Sequence, residues 1–139
     1  MLIKQKDLFW GMNPDFVKRA TDEAIELSCK DGEVLFDIGD KTSTFYILLK
    51  GKISLCRAGD RKVQHTAQEP GEIVGWSALI RRDAYAAAAI CDGDVELLKF
   101  DRDMFFDHMS ETPQDRSAFF ENIATMLGNR ILDLEPFLA

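Results

Sequence analysis

Between Ile25 and Asp101 the chain is cut into short apolar or alternating runs by closely spaced turn signals, and this punctuation limits its fold more than any other feature. The runs are AIELSC, EVLFDI, TFYILL, KISLCR, KVQHTA, EIVG, YAAAAI and VELLKF. Between them stand Asp31-Gly32, Gly39-Asp40, Lys50-Gly51, Gly59-Asp60, Pro70-Gly71 and Asp92-Gly93-Asp94. Glycine supplies the positive φ that tight reversals need, and alternating runs bury one face of a strand. The pattern predicts a mainly β fold: a jelly roll, or double-stranded β-helix, of about eight strands, rather than a parallel α/β sheet.

Helices flank this region. Residues 14–24, PDFVKRATDEA, read as a short amphipathic helix with Asn13 as its cap, Pro14 in the first turn and Phe16 and Ala20 on one face. Asp101 can cap a helix carrying Met104, Phe105 and Phe106. Thr112-Pro113-Gln114-Asp115 then reads as the start of a long helix: a capping Thr, Pro at the first position and an acid favoured by the helix dipole. That helix places Phe120, Ile123, Leu127, Ile131 and Leu134 on one stripe, widened by Phe119 and Met126. Such a stripe either covers the mouth of the barrel or packs against its own copy, and a homodimer is expected. The expected layout is one domain over 1–139: an N-terminal helical segment at 5–24, a β-roll at 25–101 and C-terminal helices at 102–139.

Composition fits one compact domain, with 46% hydrophobic residues in a chain of 139. Against 17 bases stand 24 acids, a net charge of −7, and no strong run of Lys or Arg appears. Direct binding to nucleic acid or to an anionic membrane is therefore not expected. Cys29, Cys56 and Cys91 show no metal or redox spacing and read as free thiols in a reducing compartment. The first residues, MLIKQKD, hold no apolar segment fit for a signal peptide or membrane span, so the cytoplasm is expected. An enzyme is not expected. The rival of that class, a metal-dependent cupin-like barrel, needs clustered histidines, and the chain offers only His65 and His108, so no metal site is assigned. Ser28 and Ser54 lie in ordinary strand contexts with no base at a recognisable spacing.

The stretch GEIVGWSALIRRDAYAAAA, residues 71–89, carries the candidate site. Gly75 followed by Trp76, Ser77 and Ala78 is a glycine turn running into a helix start, which aims backbone N–H groups at an anion. A phosphate or another small anionic ligand fits such a cradle. Arg81 and Arg82 read as solvated surface charge, although Arg82 has the reach to swing inward.

Several blocks coincide with a known family. They are LFWGM and PDFVKRA; then GEVLFDIGDKTSTFYILLKGKISL, with Gly32, Gly39-Asp40, Phe45-Tyr46-Ile47 and Gly51 in order; then PGEIVGWSALI and DVELLKFDRDMFFDHM. Over roughly residues 7–135 the chain resembles the cyclic-nucleotide-binding domain of CRP/FNR-like regulators, kinase regulatory subunits and gated channels. The resemblance implies that residues 71 onward are a phosphate-binding cassette and that the C-terminal stripe is a dimerisation helix. It also implies a Glu for the ribose hydroxyl and an Arg for the phosphate. The Glu position falls on Trp76, and the Arg position on Tyr85, or on Ala84 if the loop shifts by one.

Both charged recognition residues are thus replaced. A charge-assisted hydrogen bond contributes roughly 1.5–3 kcal/mol, so loss of the Arg alone weakens binding about ten- to a hundredfold. Trp76 and Tyr85 either line a pocket for a flatter, less charged ligand or plug the old one, and the alanines nearby favour the plug. The reading that results is a non-enzymatic, dimeric regulatory or sensor domain. It binds cyclic AMP or GMP weakly or not at all and works with a small molecule or a protein partner. The alternative within the family is real binding through non-standard contacts. The chain ends at Ala139, just past the stripe, which suggests a sensor or adaptor without a helix-turn-helix, or the regulatory piece of something longer.

Overall fold

The computed structural model describes residues 8–57 and 59–134. The expectations for residues 1–7, and for residues 135–139 of the C-terminal helices, lie outside the described residues. The described chain forms two compact units, Thr21–Phe105 and the segments on either side of it.

Within Thr21–Phe105, one antiparallel sheet holds six strands: β1 (Ile25–Cys29), β2 (Val34–Phe36), β3 (Thr44–Cys56), β4 (Val63–Ala67), β5 (Ile73–Val74) and β6 (Ala88–Asp101). All eight predicted runs contribute, but two pairs of them are fused. TFYILL and KISLCR both lie in β3, and VELLKF joins the end of YAAAAI in β6. The fusion has a local cause. Gly51 holds φ 102, and the β3–β6 register slips between Leu48 and Lys50 and again between Lys50 and Lys52. A Cβ at Gly51 would stand 2.5 Å from the Asp94 carbonyl oxygen. The glycine therefore makes a bulge that bends the strand pair without ending it.

Each half of the bent pair has its own neighbours. Tyr46 and Ile47 pair with β5, and Val95–Lys99 pair with β1. Beyond the bend, Ile53–Cys56 pair with β4, and Ala89 and Ile90 pair with β2. The result is a β-roll whose two four-stranded halves share β3 and β6.

Its core follows from the register. Leu48 lies opposite Leu97, and Ile53 lies between Cys91 and Ala67, all of them buried. On the other face of β3, Phe45 stacks on Phe100 with centroids 4.8 Å apart, and Phe105 meets Phe45 edge-on at 5.3 Å.

The flanking segments contain a turn at Leu8–Gly11 and most of the helices α1 (Pro14–Glu23), α2 (Arg102–Ser110) and α3 (Pro113–Leu134). Two expected caps form: Asn13 Oδ1 accepts the Asp15 N–H at 2.8 Å, and Asp101 Oδ1 accepts the Met104 N–H at 2.8 Å. Thr112 behaves otherwise. Its hydroxyl donates to the Met109 carbonyl at 3.4 Å, and its own carbonyl takes the N–H groups of Asp115 and Arg116. Asp115 is buried and accepts the Asn13 N–H at 2.7 Å. Asn122 donates to the carbonyls of Leu8 and Trp10 at 2.7 and 2.8 Å. These bonds, with Phe119 edge-on to Phe106, tie α3 to the segment before α1 and to α2. Among the described residues, no helix is long and apolar enough to cross a membrane.

Candidate functional site

The stretch from Gly71 is anchored to β3 before it turns. The Gly71 N–H donates to Leu48 O at 2.7 Å and the Leu48 N–H to Glu72 O at 2.9 Å, after which β5 continues the pairing. Gly75 ends the strand at φ 98, ψ 35, in the left-handed region. A Cβ there would lie 3.2 Å from both Phe45 Cα and Thr44 O, so any side chain would be strained twice over.

A single turn of 3-10 helix, Trp76–Leu79, follows at once. Its Ala78 N–H is taken by the Gly75 carbonyl at 3.0 Å, and Ala78 is buried. Trp76 and Ser77 are half-buried, and the Trp76 Nε1 is sealed from solvent. The Ser77 carbonyl accepts the Arg82 N–H at 3.3 Å, closing the turn around Arg81, which has φ 61.

The loop beyond is pinned by residues 39–42. Buried Thr42 donates its hydroxyl to Arg82 O at 2.5 Å and its N–H to Asp83 O at 3.0 Å, and Arg102 donates to that same hydroxyl oxygen at 3.1 Å. Lys41 bridges Ala84, the Tyr85 N–H donates to Asp40 O, and the Gly39 N–H donates to Tyr85 O, each of these two bonds 3.0 Å long. This frame sets the direction of each side chain. Arg81 and Arg82 are exposed, as expected, while Tyr85 points inward and is only 4% exposed.

Tyr85 lies flat against Phe36, with ring centroids 3.9 Å apart and planes 15° from parallel. Its hydroxyl donates to the Thr44 carbonyl at 2.5 Å and accepts the Thr44 N–H at 3.2 Å. Tyr46 extends the cluster, 6.3 Å from Phe36 and within 3.4 Å of the Thr44 hydroxyl, and burial raises its phenol pKa above the ordinary value. Phe36, Thr42, Thr44 and Tyr46 were not singled out in the sequence for this role. All lie about forty residues or more before Tyr85, and no local spacing signals the contact.

The remaining candidates are spread out. Of the α3 stripe, Ile123 is buried and Leu127 half-buried, whereas Phe120, Ile131 and Leu134 are exposed. Phe120 also contacts Phe106 and Phe119 and carries the Arg116 guanidinium 5.5 Å above its ring. His65 on β4 bonds Glu72 at 2.5 Å, and His108 lies in α2. Among the described residues, no group of three or more His, Cys, Asp or Glu side chains is arranged to hold a metal ion.

The sequence profile described as Cyclic nucleotide-binding domain matches residues 26–112, more than half of the chain. The chain belongs to the cyclic nucleotide-binding domain family. No curated protein matches it. Solved structures do. The catabolite activator protein of Thermus thermophilus superposes with a TM-score of 0.74 at 25% identity, covering 94% of this chain and 61% of that one. A cyclic nucleotide-binding-like protein of Brucella abortus gives 0.66 at 28% identity, covering 74% and 90%. The N-terminal domain of a Streptomyces coelicolor transcriptional regulator gives 0.75 at 20% identity, covering 88% and 89%, a likeness of fold. The β-roll and long C-terminal helix expected from the sequence are thus those of this family.

Proposed function

We propose that this cyclic nucleotide-binding domain is a non-enzymatic regulatory module, working in the cytoplasm as a homodimer, whose cassette has lost ordinary affinity for cyclic AMP and cyclic GMP. One observation carries the reading: Tyr85, at the position where the family resemblance expects a phosphate-pairing Arg, is buried against Phe36 and bonded to Thr44. An uncharged ring fixed in this way supplies no cation to a phosphate, and a ligand entering its place must break the stack and both hydrogen bonds. The outward direction of Arg81 and Arg82 supports the same conclusion. Gly75, Trp76, Ser77 and Ala78 retain the backbone course of a cradle without its charged partners.

The dimer proposal rests on α3, where Ile131 is 50% and Leu134 74% exposed while Ile123 is already committed inside the chain. Apolar residues left in water at helical spacing are stabilised by a second copy. A signal from a small molecule or a protein partner would then reach the rest of the assembly through this helix.

Titration calorimetry of the purified chain with cyclic AMP and cyclic GMP tests the site. The expected result is no heat, or a Kd of about a millimolar, which corresponds to a binding free energy of roughly −4 kcal/mol. Micromolar or tighter binding would favour a working cassette using Arg82 or Ser77.

A further inference from the structure

Arg102 occupies a poor place for a cation. It opens α2, where the unpaired N–H groups and the helix dipole favour an anion, so helix formation alone does not account for it. Its guanidinium is turned to the roll instead. One terminal nitrogen, Nη1, donates to the Thr42 hydroxyl at 3.1 Å, and Nε donates to Asp103 Oδ1 at 3.3 Å, which steadies the group.

Thr42 is 1% exposed, so no bulk water stands ready to replace this bond. A threonine hydroxyl has one proton to give and lone pairs with which to accept. The proton goes to Arg82 O at 2.5 Å, in the loop that follows the Gly75 turn, and the Thr42 N–H goes to Asp83 O at 3.0 Å. On the other side, the Arg102 N–H donates to the carbonyl of the next residue, Ser43, at 3.0 Å. Thr42-Ser43 therefore bonds twice to the backbone of Arg82-Asp83 and twice to Arg102. Donation and acceptance at one oxygen polarise each other, so each bond is stronger while the other stands.

We propose that Thr42 is a coupling residue through which the loop 81–85 and the first turn of α2 open and close together, with Arg102 as the positioning residue on the helix side. Withdrawal of Arg82 O leaves a buried hydroxyl proton without its acceptor and weakens the oxygen that Arg102 holds. Withdrawal of Arg102 weakens the grip on Arg82 in the same way. A ligand or partner that displaces the exposed Arg81-Arg82 segment is then felt at the start of α2. Use of the coupling as a signal rests on the regulatory reading above. The coupling itself does not, because it involves neither Trp76 nor the Tyr85 ring and needs no ligand.

Amide hydrogen exchange of the folded full chain, followed residue by residue by NMR without ligand, tests this. In Arg102→Met, which keeps the aliphatic stem and removes the donors, the Arg82 and Tyr85 N–H groups should exchange about tenfold faster, although the substitution lies on α2. In Thr42→Val, of similar shape, those two amides and that of Arg102 should all speed up, and Thr42→Ser should restore parental rates. Thr42→Val/Arg102→Met should be no faster than Thr42→Val alone. Leu48 and Leu97, buried in the sheet, should keep their rates throughout. Parental rates at Arg82 and Tyr85 in Arg102→Met overturn the proposal. So does an equal rise at Leu48 and Leu97, which would mean that the substitution loosens the whole roll. Should Thr42→Val not fold, Arg102→Met decides by itself.

Discussion

Tyr85 and Phe36 stack face to face at 3.9 Å, although forty-nine positions separate them, and both rings are buried. Two losses can be separated there. Tyr85→Phe keeps the ring but strands the Thr44 carbonyl, and should cost about 1–2 kcal/mol of unfolding free energy. Tyr85→Ala also empties the stack, and should cost about 3–5 kcal/mol. Urea denaturation of both variants measures the difference. Equal, small losses would mean that the ring is not part of the packed core.

Gly51 and Gly128 should respond to alanine with opposite signs. At Gly51 the new Cβ meets the Asp94 carbonyl in a left-handed backbone, so Gly51→Ala should lose at least ~2 kcal/mol. Gly128 lies within α3 with nothing within 4 Å of the added carbon, and Gly128→Ala should gain roughly 0.5–1 kcal/mol. Thermal melts of the pair check both signs.

Leu127→Glu places a carboxylate at a half-buried position of the α3 stripe, and Ile131→Glu places one at an exposed position. An unpaired charge in an apolar seam costs about 3 kcal/mol, so the proposed dimer should weaken roughly a hundredfold. Sedimentation should show monomer at concentrations where the parent is dimeric. Variants that sediment like the parent would place the contact surface elsewhere.

Alkaline stability should report on Cys91. The folded chain holds this proton more tightly than the unfolded one, with a pKa raised from 9.0 to about 11 by burial and by the facing Cys29, Glu33 and Asp31. Its contribution is therefore complete below about pH 9 and is lost as pH rises through about 11. Denaturation midpoints measured across that window should fall further for the parent than for Cys91→Ala. Parallel curves would show that the thiol is not held in its protonated form by the fold.

Much of the fold was legible because its signals are local. Turn glycines, alternating runs and the caps at Asn13 and Asp101 each involve residues a few positions apart. The same locality explains the differences. Lys50-Gly51 reads as a turn, because positive φ serves a reversal and a bulge alike, and only pairing with β6 decides between them. Ile123 belongs to the sequence stripe, yet it is buried in the chain that also anchors Asn122 and Asp115. The resemblance assigns Tyr85 to a cassette, but no local spacing announces its contacts with Thr44 and Phe36. Those contacts exist only once the two halves of the roll are folded together.

The central proposal is that Tyr85 and Trp76 stand where the family resemblance expects a phosphate-pairing Arg and a ribose-binding Glu. It is tested most directly by titrating cyclic AMP into the parent and into Trp76→Glu/Tyr85→Arg in the same calorimeter. Two charge-assisted contacts at roughly 1.5–3 kcal/mol each should lift affinity about a hundredfold or more, with Tyr85→Arg supplying the larger share because it neutralises a full charge. A folded double variant that takes up no more cyclic AMP than the parent, or a parent that already binds tightly, would contradict the account.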